Sequence, residues 1–320
     1  MGKIQTISIL GQTVTWYGLC ACLLSAAGVV AAAILFHKKR GWKTVQAVLL
    51  CLTAAFLGLL LGRGIYCAIR SDMFEDAMGR PLGMGPFFDP NVGSVSVIGV
   101  IGGALLAAWL WAKAKKETAG AVLDGLALPG LFLFFALRLI EPLSGQGYGP
   151  LLETRALCWV PMGMQNGWGD WSLSVCFVEA ALLLVIFVVL SRSGFQKPGT
   201  LALCALTLLA TCQVVPESLR RDNVLRIFTF ARVTQIGYAV IIFASALAAW
   251  VRGGKRGLAR KTIFAEAGLV LLGILLLIAG EFALDKTQWP DAAIYAVMLA
   301  ILALMTYLIL RRIIAEDRRQ

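Results

Sequence analysis

Arg138 and Glu141 stand three residues apart in the stretch Leu137–Pro150, Leu-Arg-Leu-Ile-Glu-Pro-Leu-Ser-Gly-Gln-Gly-Tyr-Gly-Pro. At that spacing a guanidinium and a carboxylate meet on one helix face, and together they offer anion binding and proton acceptance. The stretch closes an apolar run, Gly120–Leu137, of membrane-spanning character. An arginine at such depth costs roughly 3 kcal/mol unless it faces a partner or a wet cavity. Pro142 then stops the helix, and Gly145, Gly147 and Gly149 let the backbone approach a ligand closely. Two readings stay open on this motif alone: a ligand site, or a helix ending in a snorkelling arginine and a flexible turn.

Helices in a membrane are what must position these groups. The chain has 320 residues, 59% of them hydrophobic, and a mean hydropathy of +0.81, too apolar for a soluble domain of this size. About nine hydrophobic spans of helical length follow one another: 14–36, 44–68, 94–112, 120–140, 171–191, 199–216, 230–251, 262–284 and 291–310. The connections are short, so no separate globular domain fits, and the span lengths imply helices rather than a barrel. The expected fold is therefore all-α, a polytopic helical membrane protein.

A net charge of +11 invites a nucleic-acid reading, but its distribution argues for topology instead. Basic clusters follow the odd-numbered spans: Lys38, Lys39, Arg40 and Lys43; Lys113, Lys115 and Lys116; Arg192 and Lys197; Arg252, Lys255, Arg256, Arg260 and Lys261; and Arg311, Arg312, Arg318 and Arg319. Even-numbered loops carry acids such as Asp72, Glu75, Glu153, Asp170 and Asp285. This is a positive-inside pattern with the N-terminus outside and the C-terminus cytoplasmic. One outer loop breaks it: Glu217–Arg232 holds Arg220, Arg221, Arg226 and Arg232. Arg63 and Arg138, near the outer ends of spans two and four, sit at similar depth. Arginines gathered against the orientation bias point to an anionic ligand, with lipid phosphate the first choice. The competing reading is a set of interface anchors paired with Glu141, Glu217 and Asp222.

Further features are chiefly architectural. Eight cysteines show no Cys-x-x-Cys spacing and fall mostly inside spans, where cysteine behaves as a small apolar residue. His37 is the sole histidine and lies beside Lys38 on the cytoplasmic side, so no histidine-bearing metal site and no cofactor are expected. The stretch before span one lacks the positive cluster and small-residue cleavage pattern of a signal peptide, so span one is expected to stay. Arg63 and Tyr66 share a helix face, Gly99 and Gly103 form a small-xxx-small seam, and Pro129 marks a kink site. The loop Arg70–Val92 is expected either to dip into the interface or to cap the bundle.

Taken in order, these motifs resemble the bacterial prolipoprotein diacylglyceryl transferases over roughly residues 7–251. Trp16-Tyr17-Gly18-Leu19 is similar to the family's Trp-Tyr-Gly-Leu opening, whose tyrosine is functionally important, and Gly62-Arg63 with Tyr66 resembles its Gly-Arg-x-x-Tyr. Asp124 precedes Arg138 at the family's spacing. Arg138 to Gly149 follows the signature Arg-x-Gly-Asn-Phe-x-Asn-Gly-Glu-x-x-Gly without a gap, keeping the arginine, Gly145 and the last glycine. Glu179 matches the glutamate that ends a His-Pro-Ser-Gln-x-Tyr-Glu run. Glu217-Ser218-Leu219-Arg220 resembles a Glu-Phe-x-Arg segment, and Gln235 the glutamine of a Ser-Met-Gly-Gln turn.

The departures concern chemistry. The family's His-Gly-Gly run aligns with Ile98-Gly99-Val100, the signature asparagine is Glu141, and a tyrosine and an arginine one and two turns before Glu217 become Leu209 and Gln213. The His-Pro-Ser-Gln run reads Leu173-Ser174-Val175-Cys176. The family usually has seven helices, so residues 1–251 are expected to form a transferase-like core and residues 252–320 two additional helices and a cytoplasmic tail. The resemblance implies phosphatidylglycerol-dependent transfer of a diacylglyceryl group to the lipobox cysteine of a prelipoprotein, at the outer face of the bacterial cytoplasmic membrane. Glu141, Arg138 and Tyr17 are the expected catalytic residues; Arg63, Tyr66, Gly149, Glu217, Arg220 and Gln235 are expected to bind substrate. The partners implied are phosphatidylglycerol or another anionic phospholipid and the prelipoprotein signal peptide. The alternative is a catalytically inactive member that binds anionic phospholipid at the outer leaflet.

Overall fold

The computed structural model describes residues 6–9, 12–75, 82–88, 95–165, 169–221, 232–254 and 260–318. Nine long helices run through them: α1 (Trp16–Arg40), α2 (Thr44–Ile69), α3 (Val97–Lys115), α4 (Ala119–Ile140), α5 (Val175–Ser191), α6 (Thr200–Leu219), α7 (Val233–Gly254), α8 (Arg260–Lys286) and α9 (Asp291–Asp317). Eight of them are long and apolar enough to cross a membrane, and α5 is a shorter apolar helix of 17 residues. At 1.5 Å per residue, 17 residues still extend about 25 Å, close to the hydrocarbon thickness. The protein is an all-α, multi-pass membrane protein.

Local chemistry sets the ends of these helices. Thr15 caps α1 by accepting the Gly18 N–H at 3.0 Å. Gly41, with φ +66°, closes its other end in the left-handed conformation that glycine tolerates. Glycines decide one packing contact outright. A Cβ on Gly99 or Gly103 would stand 2.4 and 2.3 Å from the backbone of Gly62 and Gly58, so α2 and α3 cross backbone to backbone along the expected seam.

The most buried of the eight long helices is α6. Around it the main core gathers Leu183 of α5, Tyr238 and Ile242 of α7, Val270 and Leu277 of α8, and Met298 and Met305 of α9. The last two helices thus share one core with the preceding ones. A second core joins α1, α2 and α3 to Val122 of α4 through Phe36, Trp42, Leu50 and Ala108.

Two departures from the expected spans have a common cause. Residues 171–174 do not begin the fifth helix. Trp171-Ser172-Leu173-Ser174 buries alternate residues as strand β5 and pairs with β3 (Tyr148–Leu151) and β4 (Gly163–Gln165) in an antiparallel sheet of order β3-β5-β4. The N-terminal segment likewise forms an antiparallel hairpin, β1 (Thr6–Ile9) with β2 (Gln12–Thr15). Thr6–Ile9 and Trp171–Ser174 alternate in type over four residues, the period of a strand rather than of a helix.

Candidate functional site

Helix α4 delivers Arg138 in its last turn, and its chain continues directly into a short 3-10 turn, Glu141–Ser144. Gly145, with φ +72°, ends that turn, and the backbone then passes Gly147 (φ +89°) into β3. A Cβ on Gly147 would meet the Cys176 side chain at 2.7 Å and the Glu141 carboxyl carbon at 3.6 Å. Gly149 is equally confined, since its Cβ would stand 2.6 Å from Val175. These two glycines press the loop onto the start of α5, one turn before Glu179.

Four charged side chains then close on one another. Arg138 Nη1 donates to Glu141 Oε2 at 2.7 Å, and its Nε lies 2.9 Å from Glu179 Oε2. Arg220, at the C-terminal end of α6, donates to both oxygens of Glu141 and, at 3.2 Å, to Glu179. Glu141, Glu179 and Arg220 are buried, and the Arg138 side chain is only 13% exposed. Arg138 therefore points into the protein, which rules against the snorkelling reading. Two guanidiniums and two carboxylates sum to no net charge, the arrangement by which buried ions are tolerated. Tyr17, at the start of α1, lies within electrostatic reach of Glu141, Arg138 and Arg220.

An apolar cavity of about 440 Å³ lies within the same bundle, and none of the four charged side chains lines it. It is lined by α1, α2, α3, α4 and α6, and its wall runs through Pro129 and Phe134 to Leu137, the residue before Arg138. Its lining is overwhelmingly aliphatic, with Ser25 and Cys51 the exceptions that carry a hydroxyl or a thiol.

The other expected site residues form two satellite groups. Arg63 Nε donates to the Phe87 carbonyl at 3.0 Å and its Nη2 to that of Pro86, and its guanidinium lies 5.7 Å from the Tyr66 ring. Arg63, with the Tyr66 ring beside its guanidinium, thus holds the helical turn Gly85–Phe88 of the α2–α3 connection against the bundle. Glu217 accepts the Thr234 hydroxyl at 2.7 Å, and Arg232 donates to the carbonyls of Glu217, Ser218 and Arg220, satisfying the end of α6. Gln235 Nε2 donates to Glu281 Oε1 at 2.7 Å. Arg226 and Asp222 lie outside the described residues.

Ile98, aligned with the family histidine, fills the space over Gly237 of α7, where a Cβ would meet it at 2.2 Å. His37, the sole histidine, has Nδ1 3.1 Å from the Trp42 carbonyl at the far end of α1. Twenty residues of helix separate it from Tyr17, about 30 Å. Burial, with the Cys176 thiol adding, pushes the phenol of Tyr148, in β3, up from its ordinary value.

Sequence reasoning missed Glu179 as a full member of the site and Glu281 altogether. Each carried the same kind of signal, a carboxylate inside an apolar span, Glu179 alone in its span and Glu281 sharing its span with Glu266.

The class this defines is a helical membrane bundle that holds a charge-balanced arginine–glutamate cluster where α4, α5 and α6 meet, with an apolar cavity among α1, α2, α3, α4 and α6. Residues 5–251 match the model of the prolipoprotein diacylglyceryl transferases, and the chain belongs to that family. Comparison with curated proteins gave no significant match.

Proposed function

We propose that the protein transfers a diacylglyceryl group from phosphatidylglycerol to the lipobox cysteine of a prelipoprotein at the outer face of the bacterial cytoplasmic membrane. The observation that carries the reading is the quartet Arg138, Glu141, Glu179 and Arg220, in the same bundle as an apolar cavity whose wall includes Leu137, the residue before Arg138. Acyl chains fit the cavity by the hydrophobic effect, and the phosphodiester meets Arg138 and Arg220, which present planar paired donors to it. In this reading residues 1–251 act as the transferase core, and the basic clusters support an N-terminus outside and a C-terminus in the cytoplasm.

In the transfer, the cysteine sulfur forms a bond to the glyceryl carbon while that carbon's bond to the phosphate oxygen breaks. Glycerol phosphate departs with the electron pair, stabilised by the two guanidiniums. The thiol proton needs an acceptor, and Glu141 takes the role that Ile98 cannot. Charge is conserved through the step. The empty quartet sums to zero and a bound phosphodiester brings the site to minus one; in the transfer, the thiol proton received by a carboxylate offsets the additional negative charge that the departing glycerol phosphate acquires, so the site stays at minus one. Phosphate also draws the guanidiniums away from Glu141, which frees an oxygen for the proton.

On the same proposal Tyr17, within electrostatic reach of the quartet, orients the glyceryl ester. In this reading Arg63, Tyr66, Glu217, Gln235 and Gly149 shape the walls of the substrate site rather than touch the phosphate.

The test uses purified protein, phosphatidylglycerol and a lipobox peptide. Wild type should transfer. Arg138→Ala should lose both lipid binding and transfer, whereas Glu141→Gln should keep binding and lose transfer by at least about a hundredfold, the usual worth of a general base. Equal transfer by wild type and Glu141→Gln would remove Glu141 as proton acceptor. Binding without transfer in wild type would assign the inactive lipid-binding role, which the replacement of the histidine by Ile98 favours.

A further inference from the structure

The family match ends at residue 251, yet a side chain from beyond it reaches back to the end of α6. Glu281 lies in α8 and is half-buried. Its Oε2 accepts the Ser218 hydroxyl at 3.0 Å and its Oε1 accepts the Gln235 amide at 2.7 Å. Ser218 stands in the last turn of α6 and Gln235 in the first turn of α7. One carboxylate therefore pins both ends of the connection that carries Arg220 and Arg232.

The connection has other ties, and all converge on the same few residues. Arg221 N–H donates to the Tyr148 carbonyl at 2.8 Å, joining the end of α6 to β3. Arg232 covers the terminal carbonyls of α6, and Thr234 holds Glu217. Arg220 departs two residues after Ser218 and must span the distance to Glu141 and Glu179. Where it starts is fixed by the turn that Glu281 grips. Unlike Glu141 and Glu179, Glu281 is held by two neutral donors, so its role is not charge balance within the quartet.

We propose that Glu281 is a positioning residue for the Arg220 arm, and hence that α8 completes the lipid-phosphate site rather than merely extending the bundle. The inference rests on the phosphate-binding reading of Arg220 given above. Helix α8 is kept in place by its own apolar packing, through Val270 and Leu277 against the main core. Loss of the carboxylate should therefore leave the helix seated and loosen what it grips.

Two measurements on the full chain in nanodiscs separate this inference from the function it serves. The first is hydrogen exchange, which needs no ligand. Glu281→Ala should speed exchange of the Glu217–Arg221 amides by about tenfold, the effect of losing a hydrogen bond to a charged group, while residues 260–277 stay protected. Glu281→Gln keeps an acceptor oxygen for one donor and should fall between. Unchanged exchange at 217–221, or equal loss of protection along α8 and α9, would overturn the positioning role.

The second is binding of phosphatidylglycerol against a phosphatidylcholine background. Glu281→Ala should weaken it by about tenfold, and should add nothing once Arg220 is alanine, because both changes then act through one group. Independent losses that multiply would overturn the coupling to Arg220. Wild type without preference for phosphatidylglycerol would sink the phosphate-site reading, and the exchange result alone would then decide whether Glu281 holds the turn.

Discussion

Helix α4 has a carboxylate near each end, and the two are satisfied in opposite ways. Asp124 accepts the N–H of Gly199 at 2.6 Å and of Ala202 at 2.8 Å, so it caps the start of α6 from a neighbouring helix. These two partners are backbone groups whose positions the fold dictates. Glu141 is held instead by two guanidiniums on long side chains, Arg138 and Arg220, which another anion can recruit by rotation. The first arrangement is a joint, and the second is exchangeable. In a medium that punishes every unpaired charge, the exchangeable pairing is the one that can receive a ligand. Both residues lie in the family match, and only their partners tell them apart.

The comparison breaks most visibly at Arg220. Arg220→Ala leaves two buried carboxylates facing one guanidinium and should cost about 3–5 kcal/mol of stability. Removing a charge of each sign, Arg220→Met with Glu141→Gln, should cost less than Arg220→Met alone, because the quartet stays neutral. Thermal or denaturant unfolding in detergent checks this. A double variant less stable than the single would show that the four groups are held by geometry and not by balance.

Asp124 should behave as a joint. Asp124→Ala removes the cap of α6 and should lower stability by about 1–2 kcal/mol while phosphatidylglycerol binding by the folded fraction stays at the wild-type level. Weakened binding with an intact fold would place Asp124 in the ligand-bearing machinery and erase the distinction.

Much of this arrangement was legible in the sequence, and what was not has a physical reason. The nine spans appear as helices because twenty apolar residues have few other options in a bilayer. The Gly99–Gly103 seam is visible since a four-residue repeat of small residues marks one helix face. Arg138 with Glu141 is visible because three residues of separation fix their proximity. The pairing of Arg220 with Glu141 and Glu179 is not, since those contacts span 79 and 41 residues of chain. Arg63 shows the same limit from the other side: its partners are the carbonyls of Pro86 and Phe87, which no side-chain pattern announces. The start of α5 was misplaced because Trp171–Ser174 is apolar enough to extend a span, although its alternation fits the strand it forms.

The smallest effect belongs to an ion pair that resembles the quartet in chemistry and differs in burial. Arg70 donates to Asp72 at 2.9 Å just beyond α2, with both side chains more than half exposed. The hydrogen bond from Arg70, with the guanidinium charge adding, holds the Asp72 carboxyl below the usual carboxylate range. A lowered carboxylate contributes above its unfolded value and loses that contribution as the pH falls through the lowered, folded value. At pH 7 the contribution is therefore fully present, yet water and salt screen a pair this exposed. Asp72→Asn should leave the melting temperature at pH 7 unchanged within error, and whatever difference exists at low salt should vanish with added salt and as the pH falls below 4. Melting curves across pH and ionic strength decide the matter. A loss at pH 7 as large as that of Asp124→Ala would mean that exposure does not separate these charges, and that the distinction drawn from burial in the quartet fails with it.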